Sequence, residues 1–175
     1  MYPYLRMYKE LWKFRNSSKL GLFDTHISHH MCLPQDIDPW MELNNGRTLT
    51  LYDLGRLPMG RRIGFDKLGR SHGWGMTVAG ASTRYRRRVR MFDRFEMRSR
   101  VLGWDARFLY MDQSMWRGGD CTGQMLLRSA VVSDDGIVPP VRAMQAMGHC
   151  EDSPPLPAWV LAWIAADGLR PWPPQ

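Results

Sequence analysis

Apolar and polar positions change period along this chain, and the changes divide it. Residues 2 to 15 place Tyr4, Tyr8, Leu11 and Trp12 at helical spacing, which predicts a short amphipathic helix leaning on the domain. Gly21 and Asp24 introduce a run from Phe23 to Leu33 that reads as a first strand, with His26 and His30 on one face and His29 on the other. Pro34 and Pro39 then interrupt regular structure. The stretch from Asn44 to Leu57 carries Leu49, Tyr52, Leu54 and Leu57 at helical spacing, with Asp53 and Arg56 three apart and able to pair. Gly46 and Gly55 weaken that helix, so burial must hold it. Pro58 and Gly60 predict a kink or new turn, and Arg61 to Leu68 a second short helix ended by Gly69.

From Gly73 the period falls to two. Trp74, Met76, Val78 and Gly80 alternate with small residues, and Phe92 to Leu102, Arg107 to Trp116 and Cys121 to Ser133 are strand-length runs. Between them stand the breakers Gly103-Trp104-Asp105, Arg117-Gly118-Gly119-Asp120 and Ser133-Asp134-Asp135-Gly136, the last two suited to hairpins. Val141 to Met147 reads as a helix, Pro154-Pro155-Leu156-Pro157 as a rigid spacer, and Ala158 to Leu169 as a terminal helix too apolar to stay uncovered, followed by a proline-rich tail. One early helix followed by several antiparallel strands is an α+β arrangement. The division is an arm over 1–15, a domain over 16–150, and a spacer with its helix over 151–175.

Composition narrows the setting. A chain of 175 residues that is 44% apolar can bury one core of ordinary size. The cysteines Cys32, Cys121 and Cys150 are odd in number and scattered, which fits neither a disulfide framework nor a zinc site and favours a reducing, cytoplasmic location. Charges within Met1 to Phe14 break any apolar run, so neither a signal peptide nor a membrane span is expected and the protein should be soluble. The net charge of +7 points to an anionic partner without identifying it.

Two blocks carry candidate chemistry. The first is Leu33-Pro34, Asp36-Ile37-Asp38, Asn44-Asn45 and Asp53 to Arg56; the second is Arg84-Tyr85-Arg86-Arg87 followed by Leu102-Gly103-Trp104-Asp105. By spacing alone Asp38 reads as a turn or helix cap, as Asp does in most proteins. A carboxylate just ahead of a helix start is also well placed for chemistry, because the free amides of the first turn can hold a developing negative charge. Together the two blocks resemble the hotdog-fold acyl-CoA thioesterases of the 4-hydroxybenzoyl-CoA type, and within them the branch called thioesterase superfamily member six, over roughly residues 25 to 148.

The resemblance implies a hotdog fold, an antiparallel sheet wrapped around a central helix, and hydrolysis of an acyl-CoA or acyl-carrier-protein thioester. It implies Asp38 as nucleophile or water-orienting base and the backbone N–H of Asn45 as donor to the oxyanion. Asn44 would orient the loop. Glu42 is either a second carboxylate raising the Asp38 pKa or, as we favour, a solvated loop residue. No cofactor is expected beyond the coenzyme A of the substrate, and no metal. The implied assembly is a homodimer sharing one continuous sheet, with a tetramer left open. Two departures stand out: Met41-Glu42 occupies the place where many members carry Gly-His, and Thr48 stands where an aromatic is common. The rival reading keeps the fold for thioester binding without catalysis.

The run Arg84-Tyr85-Arg86-Arg87-Arg88-Val89-Arg90 holds five arginines in seven residues. Arg84, Arg86, Arg87 and Arg88, with Tyr85, are candidates for the phosphates and adenine of coenzyme A, since guanidinium pairs with phosphate in a two-pronged geometry. A charged edge strand guarded against aggregation is the plainer alternative. Nucleic acid is disfavoured, because no recognition helix or stacking platform accompanies the run.

Overall fold

The computed structural model describes residues 2–171 and 173–174. Met1, Trp172 and Gln175, at the ends of the expected arm and tail, lie outside the described residues. In chain order the helices are α1 (Tyr4–Lys13), α2 (Asn45–Ile63), α3 (Asp66–His72), α4 (Pro140–Met147) and α5 (Ala158–Gly168). The strands are β1 (His26–Met31), β2 (Gly75–Tyr85), β3 (Arg94–Trp104), β4 (Leu109–Arg117), β5 (Asp120–Ser133) and β6 (Gly136–Val138).

The strands form one antiparallel sheet in the order β1-β3-β4-β5-β2, with β6 paired to the end of β5. Alternation sorts its faces. Phe95, Met97 and Val101 of β3, Met111 and Met115 of β4, and Met125, Leu127 and Val131 of β5 are buried in one core with Leu51, Tyr52, Leu54, Met59 and Ile63 of α2. Helix α2 therefore lies in the hollow of the curled sheet, the hotdog arrangement that the resemblance implies. On the other face Tyr110 and Leu126 pack with Val160, Trp163 and Ile164, so α5 covers the convex side.

The central helix runs straight through Pro58 to Ile63, and Gly64 caps it in a left-handed conformation. The expected break at Pro58, and with it the helix from Arg61 to Leu68, is corrected: α3 starts at Asp66 and ends at Gly73, not Gly69. Energetics explain the persistence. Glycine costs about 1 kcal/mol and proline about 3 in a helix interior, whereas each large apolar side chain buried on α2 returns about 1.5–3 kcal/mol. The five named above outweigh the penalty of the three glycines and the proline. Gly55 is moreover required where it stands, since a Cβ there would come within 2.5 Å of the Met97 Sδ. A second link is polar: Arg56 pairs with Asp53 and donates to Gln113 Oε1 of β4 at 2.8 Å, tying helix to sheet.

The N-terminal helix forms where expected but presents a different face. Tyr4, Tyr8 and Trp12 are 58–65% exposed, whereas Glu10 is buried and Met7 packs on the core. An ion pair decides the orientation: Arg6 bridges Asp36 at 2.6 Å and the Met31 carbonyl at 2.9 Å. In β1, His26 and His30 point inward and His29 outward, as the period predicts. Burial, aided by Arg62, lowers the His26 pKa to about 4, and burial, aided by Arg6, lowers that of His30 to about 3. Both are neutral and hydrogen-bonded, His30 to Ser28 Oγ at 2.8 Å and His26 to Arg62 at 3.0 Å. The edge strand β2 is exposed along almost its whole length, Met76 and Val78 included.

Candidate active site

Two carboxylates two residues apart meet opposite fates. Asp36 closes the 3-10 turn Pro34–Asp36 and is fully buried. One of its oxygens takes Arg6 at 2.6 Å and the Leu33 amide at 3.0 Å; the other takes Arg47 at 2.9 Å. Burial pushes its pKa up, but the Leu33 N–H, Arg47 and Arg6 outweigh that and hold it below the usual carboxylate range. Its backbone carbonyl accepts the Asn44 N–H at 2.9 Å, which fixes where α2 begins. Asp36 is thus the buttress of the helix start.

Asp38 stands in the loop that follows, held by a short bridge between Ile37 and Leu43. It is half-buried, and its Oδ1 accepts the amides of Trp40 at 2.9 Å and Glu42 at 3.4 Å. No lysine or arginine is paired with it among the described residues. At the turn of this loop Met41 has φ +61°, the left-handed region that favours glycine. The Met41 departure therefore falls on the residue whose backbone most suits the glycine it replaces.

Helix α2 starts with Asn44 as its cap, the Asn44 side chain accepting the Arg47 N–H at 3.1 Å. With the Thr48 amide bonded to the Asn44 carbonyl, the Asn45 and Gly46 amides are left as first-turn donors with no acceptor inside the helix. Beside them opens a cavity of about 270 Å³. Glu42, Asn45, Thr48, Tyr52, Tyr85, Arg86, Arg87 and Arg88 line it, with Gly123 on the strand opposite.

Of the residues singled out from sequence, then, the cavity gathers Asn45, Glu42, Tyr85 and the three arginines from Arg86 to Arg88. Asp38 and Asn44 lie outside its lining. Glu42 is not the solvated residue we favoured: it is half-buried and paired with Arg88 at 3.0 Å. Arg84 parts from its neighbours. It lies within β2, where it lines a separate cavity with Gln124, Trp159 and Trp163 under α5. The arginine run is therefore split between two cavities.

Tyr52 was read from sequence only as an apolar helix position, yet it lines the cavity, and its buried hydroxyl has no hydrogen-bond partner among the described residues. Burial raises its pKa well above the ordinary phenol value. A larger groove of about 720 Å³ lies between α1 and β3, lined by Arg6, Lys9, Glu10 and Arg98 among others, and contains none of the residues predicted for the site.

The likenesses to known proteins agree with this geometry. The model of the thioesterase-like superfamily matches residues 32–164. Protein THEM6 of Xenopus laevis is 31% identical over 146 residues, 82% of this chain and 69% of that protein. Protein THEM6 of Danio rerio is 32% identical over 108 residues, 61% of this chain and 54% of that one. The chain thus spans about two thirds of the frog relative and about half of the fish relative. Among solved structures, the probable thioesterase YbaW from Escherichia coli superposes with a TM-score of 0.64 at 13% identity, covering 70% of this chain and 98% of that one. A hypothetical protein from Staphylococcus aureus, solved in complex with CoA, gives a TM-score of 0.64 at 9% identity over 82% and 96%. At such identities the structures speak for the fold alone.

Proposed function

The chain belongs to the thioesterase-like superfamily, and on that premise we propose that it hydrolyses an acyl thioester of coenzyme A or of an acyl carrier protein. The observation that carries the reading is the start of α2: two unsatisfied amides, Asn45 and Gly46, beside a cavity rimmed by Arg86, Arg87 and Arg88. Thioester hydrolysis moves negative charge onto the carbonyl oxygen, and preorganised amide donors at a helix N-terminus stabilise that charge. The arginines supply the chemistry that binds a pyrophosphate.

In this reading Asp38 does the bond-making work. Its carboxylate either adds to the carbonyl carbon, expelling the thiolate and leaving a mixed anhydride that water opens, or removes a proton from the water that attacks. Its Oδ1, anchored by the Trp40 amide, orients the carboxylate, and no lysine or arginine among the described residues is paired with it. Exposed β2 suits pairing with the same strand of a second copy, which extends the sheet and brings another subunit beside the Asp38 loop. We take the working form to be that homodimer, in the cytoplasm, with no cofactor besides the coenzyme A of the substrate. No helix among the described residues is long and apolar enough to cross a membrane.

One observation favours the alternative, a thioester-binding protein without turnover: Asp38 stands outside the cavity lining, and Glu42 within it is neutralised by Arg88. Thiol release from short, long and aromatic acyl-CoAs, by wild type beside Asp38→Asn, separates the two. Turnover that the substitution abolishes supports the hydrolase. Saturable coenzyme A binding with no turnover of any acyl group would replace it with the binder.

A further inference from the structure

Helix α1 shows its aromatic side to solvent. Tyr4, Tyr8 and Trp12, with Leu5 at 88% exposure, stand opposite the side that Met7 and Glu10 bury. At about 100° per residue these four fall within roughly a third of the helix circumference. Single apolar residues are ordinary on a protein surface, but a contiguous row of large ones marks a contact with something else. The rest of the chain does not supply that contact. Arg6 donates to the Met31 carbonyl, and Phe14 meets the His26 ring edge-on with centroids 4.5 Å apart, so α1 lies along β1. That is the opposite edge of the sheet from β2. Pairing of two copies through β2 therefore leaves the row open.

The charge beside the row selects its partner. Glu10 is the only acid from residue 2 to residue 19 and is turned inward, whereas Lys9, Lys13, Arg15 and Lys19 are exposed. Arg15 lies over the Trp12 ring at 4.0 Å and also lines an open groove past the end of α1, with Lys19, Arg61, Arg62, Lys67 and Arg70. Asp66, paired with Arg70, is the single acid in that lining. The aromatic row thus runs directly into a basic cluster. We infer that this surface docks on an anionic lipid bilayer, with Tyr4, Leu5, Tyr8 and Trp12 entering the headgroup region and the cluster resting on lipid phosphates. Tyrosine and tryptophan suit that depth, because each ring has an apolar body and a polar tip. A helix with such a face beside basic residues lies in the plane of the interface. The ten residues of α1 rise about 15 Å, half the hydrocarbon thickness, so it rests on the membrane and does not cross it. A nucleic acid or an acidic protein would match the cations but give Leu5 nothing apolar to meet. The inference goes beyond the hydrolase reading and does not depend on it, since α1 lines no part of the cavity at the start of α2.

The test is flotation of the full chain with vesicles of phosphatidylcholine, either alone or with about a quarter of it replaced by phosphatidylglycerol. Wild type should bind the anionic vesicles at least about tenfold better than the neutral ones, and added salt should weaken that binding. Leu5→Ser combined with Trp12→Ser should reduce anionic-vesicle binding about tenfold. The Tm should not move, because both side chains face solvent in the folded chain. Arg61→Glu, at the exposed end of α2, should also cost about tenfold. Arg90→Glu makes the same change of charge beside the start of α2, where the Val89 carbonyl accepts the Leu43 amide, and should cost less than about twofold. Failure to bind either vesicle overturns the inference. So does binding that survives the Leu5 and Trp12 pair, which is adsorption by charge alone, or that falls equally with Arg61→Glu and Arg90→Glu. If vesicles capture nothing and the pair instead breaks a larger assembly in sedimentation without lipid, the face belongs to a second copy and the bilayer is excluded. Thiol release from soluble acyl-CoA is unaffected by any of these outcomes, so the hydrolase reading stands or falls separately.

Discussion

Asp36 and Asp38 lie on consecutive turns of one short segment, and nothing in their own chemistry distinguishes them. Asp36 is fully buried, with two arginines and an amide filling its lone pairs, and it carries the start of α2 on its backbone carbonyl. Asp38 is half-buried, anchored through one oxygen by loop amides, and has no cation beside it among the described residues. Neighbouring positions thus sit in opposite settings, one locked into the fold and one, in the hydrolase we propose, left to act on the substrate. In that proposal the Asp38 carboxylate is left for chemistry because the burden of holding the helix start falls on Asp36.

Breaking the rigid half should cost most. Asp36→Ala removes the carboxylate that Arg6 and Arg47 share and loosens α1 from the 3-10 turn, so a loss of about 3–5 kcal/mol is expected, read as a shift of the urea midpoint at constant slope. A loss under about 1 kcal/mol would show that the pair is not the buttress described. Breaking the reactive half should do the reverse. Asp38→Asn keeps an acceptor for the Trp40 amide, so stability should move by less than about 0.5 kcal/mol, while thiol release falls at least about a hundredfold. Parallel losses in both assays would merge the two roles that the comparison separates.

Most of the fold was legible because the runs that become β3, β4 and β5 have strand length and the breakers between them stand where the chain turns. What escaped depends on partners distant in sequence. The Tyr4, Tyr8 and Trp12 stripe predicts which residues of α1 share a face, but the Arg6–Asp36 bridge, thirty residues long in sequence, decides which face turns inward. Pro58 reads as a helix breaker until the burial around it is known. At the site, resemblance marked the Asp38 to Asn45 loop, and the N-terminal amides follow from helix geometry alone. The split between Arg84 and Arg86 was hidden, because it depends on where β2 ends and which face each arginine takes. Tyr52 gave no signal of its own. An aromatic at helical spacing looks the same in sequence whether its hydroxyl is bonded or not.

Acidification sharpens the contrast by titrating the buried side of the segment. His26 and His30, with folded pKa values of about 4 and about 3, bind protons more weakly folded than unfolded, where the value is about 6.5. Their contribution is complete above pH ~6.5 and is lost as pH falls toward those folded values, on the order of 3 kcal/mol for His26 and 5 kcal/mol for His30. Asp36 carries the same sign lower down: its folded pKa is depressed, so its stabilisation is present above about 3.9 and disappears as pH drops through the folded value. Urea midpoints measured from pH 7 to pH 3 should therefore fall in two stages. His30→Gln should flatten the upper stage and Asp36→Asn the lower; a curve unchanged by both would remove these groups as its cause.

The smallest expected effect lies in the turn between the two halves. Met41 at φ +61° occupies a conformation that costs a side-chain-bearing residue about 1 kcal/mol. Met41→Gly relieves it, though the added freedom of the unfolded chain returns part of the gain, so a net stabilisation of about 0.5 kcal/mol is expected. Phe92, at φ +65°, is bonded to Cys32 on the rigid side and serves as its control. Phe92→Gly relieves the same backbone strain away from the Asp38 loop. If the reactive loop is tuned separately from its support, both glycines should raise the urea midpoint by similar amounts, while Met41→Gly alone changes kcat/KM, because a bare backbone lets the substrate carbonyl approach the loop more closely. Equal kinetic effects from the two would mean that strain anywhere in the segment reaches the site, and the division between its two carboxylates would be one of degree only.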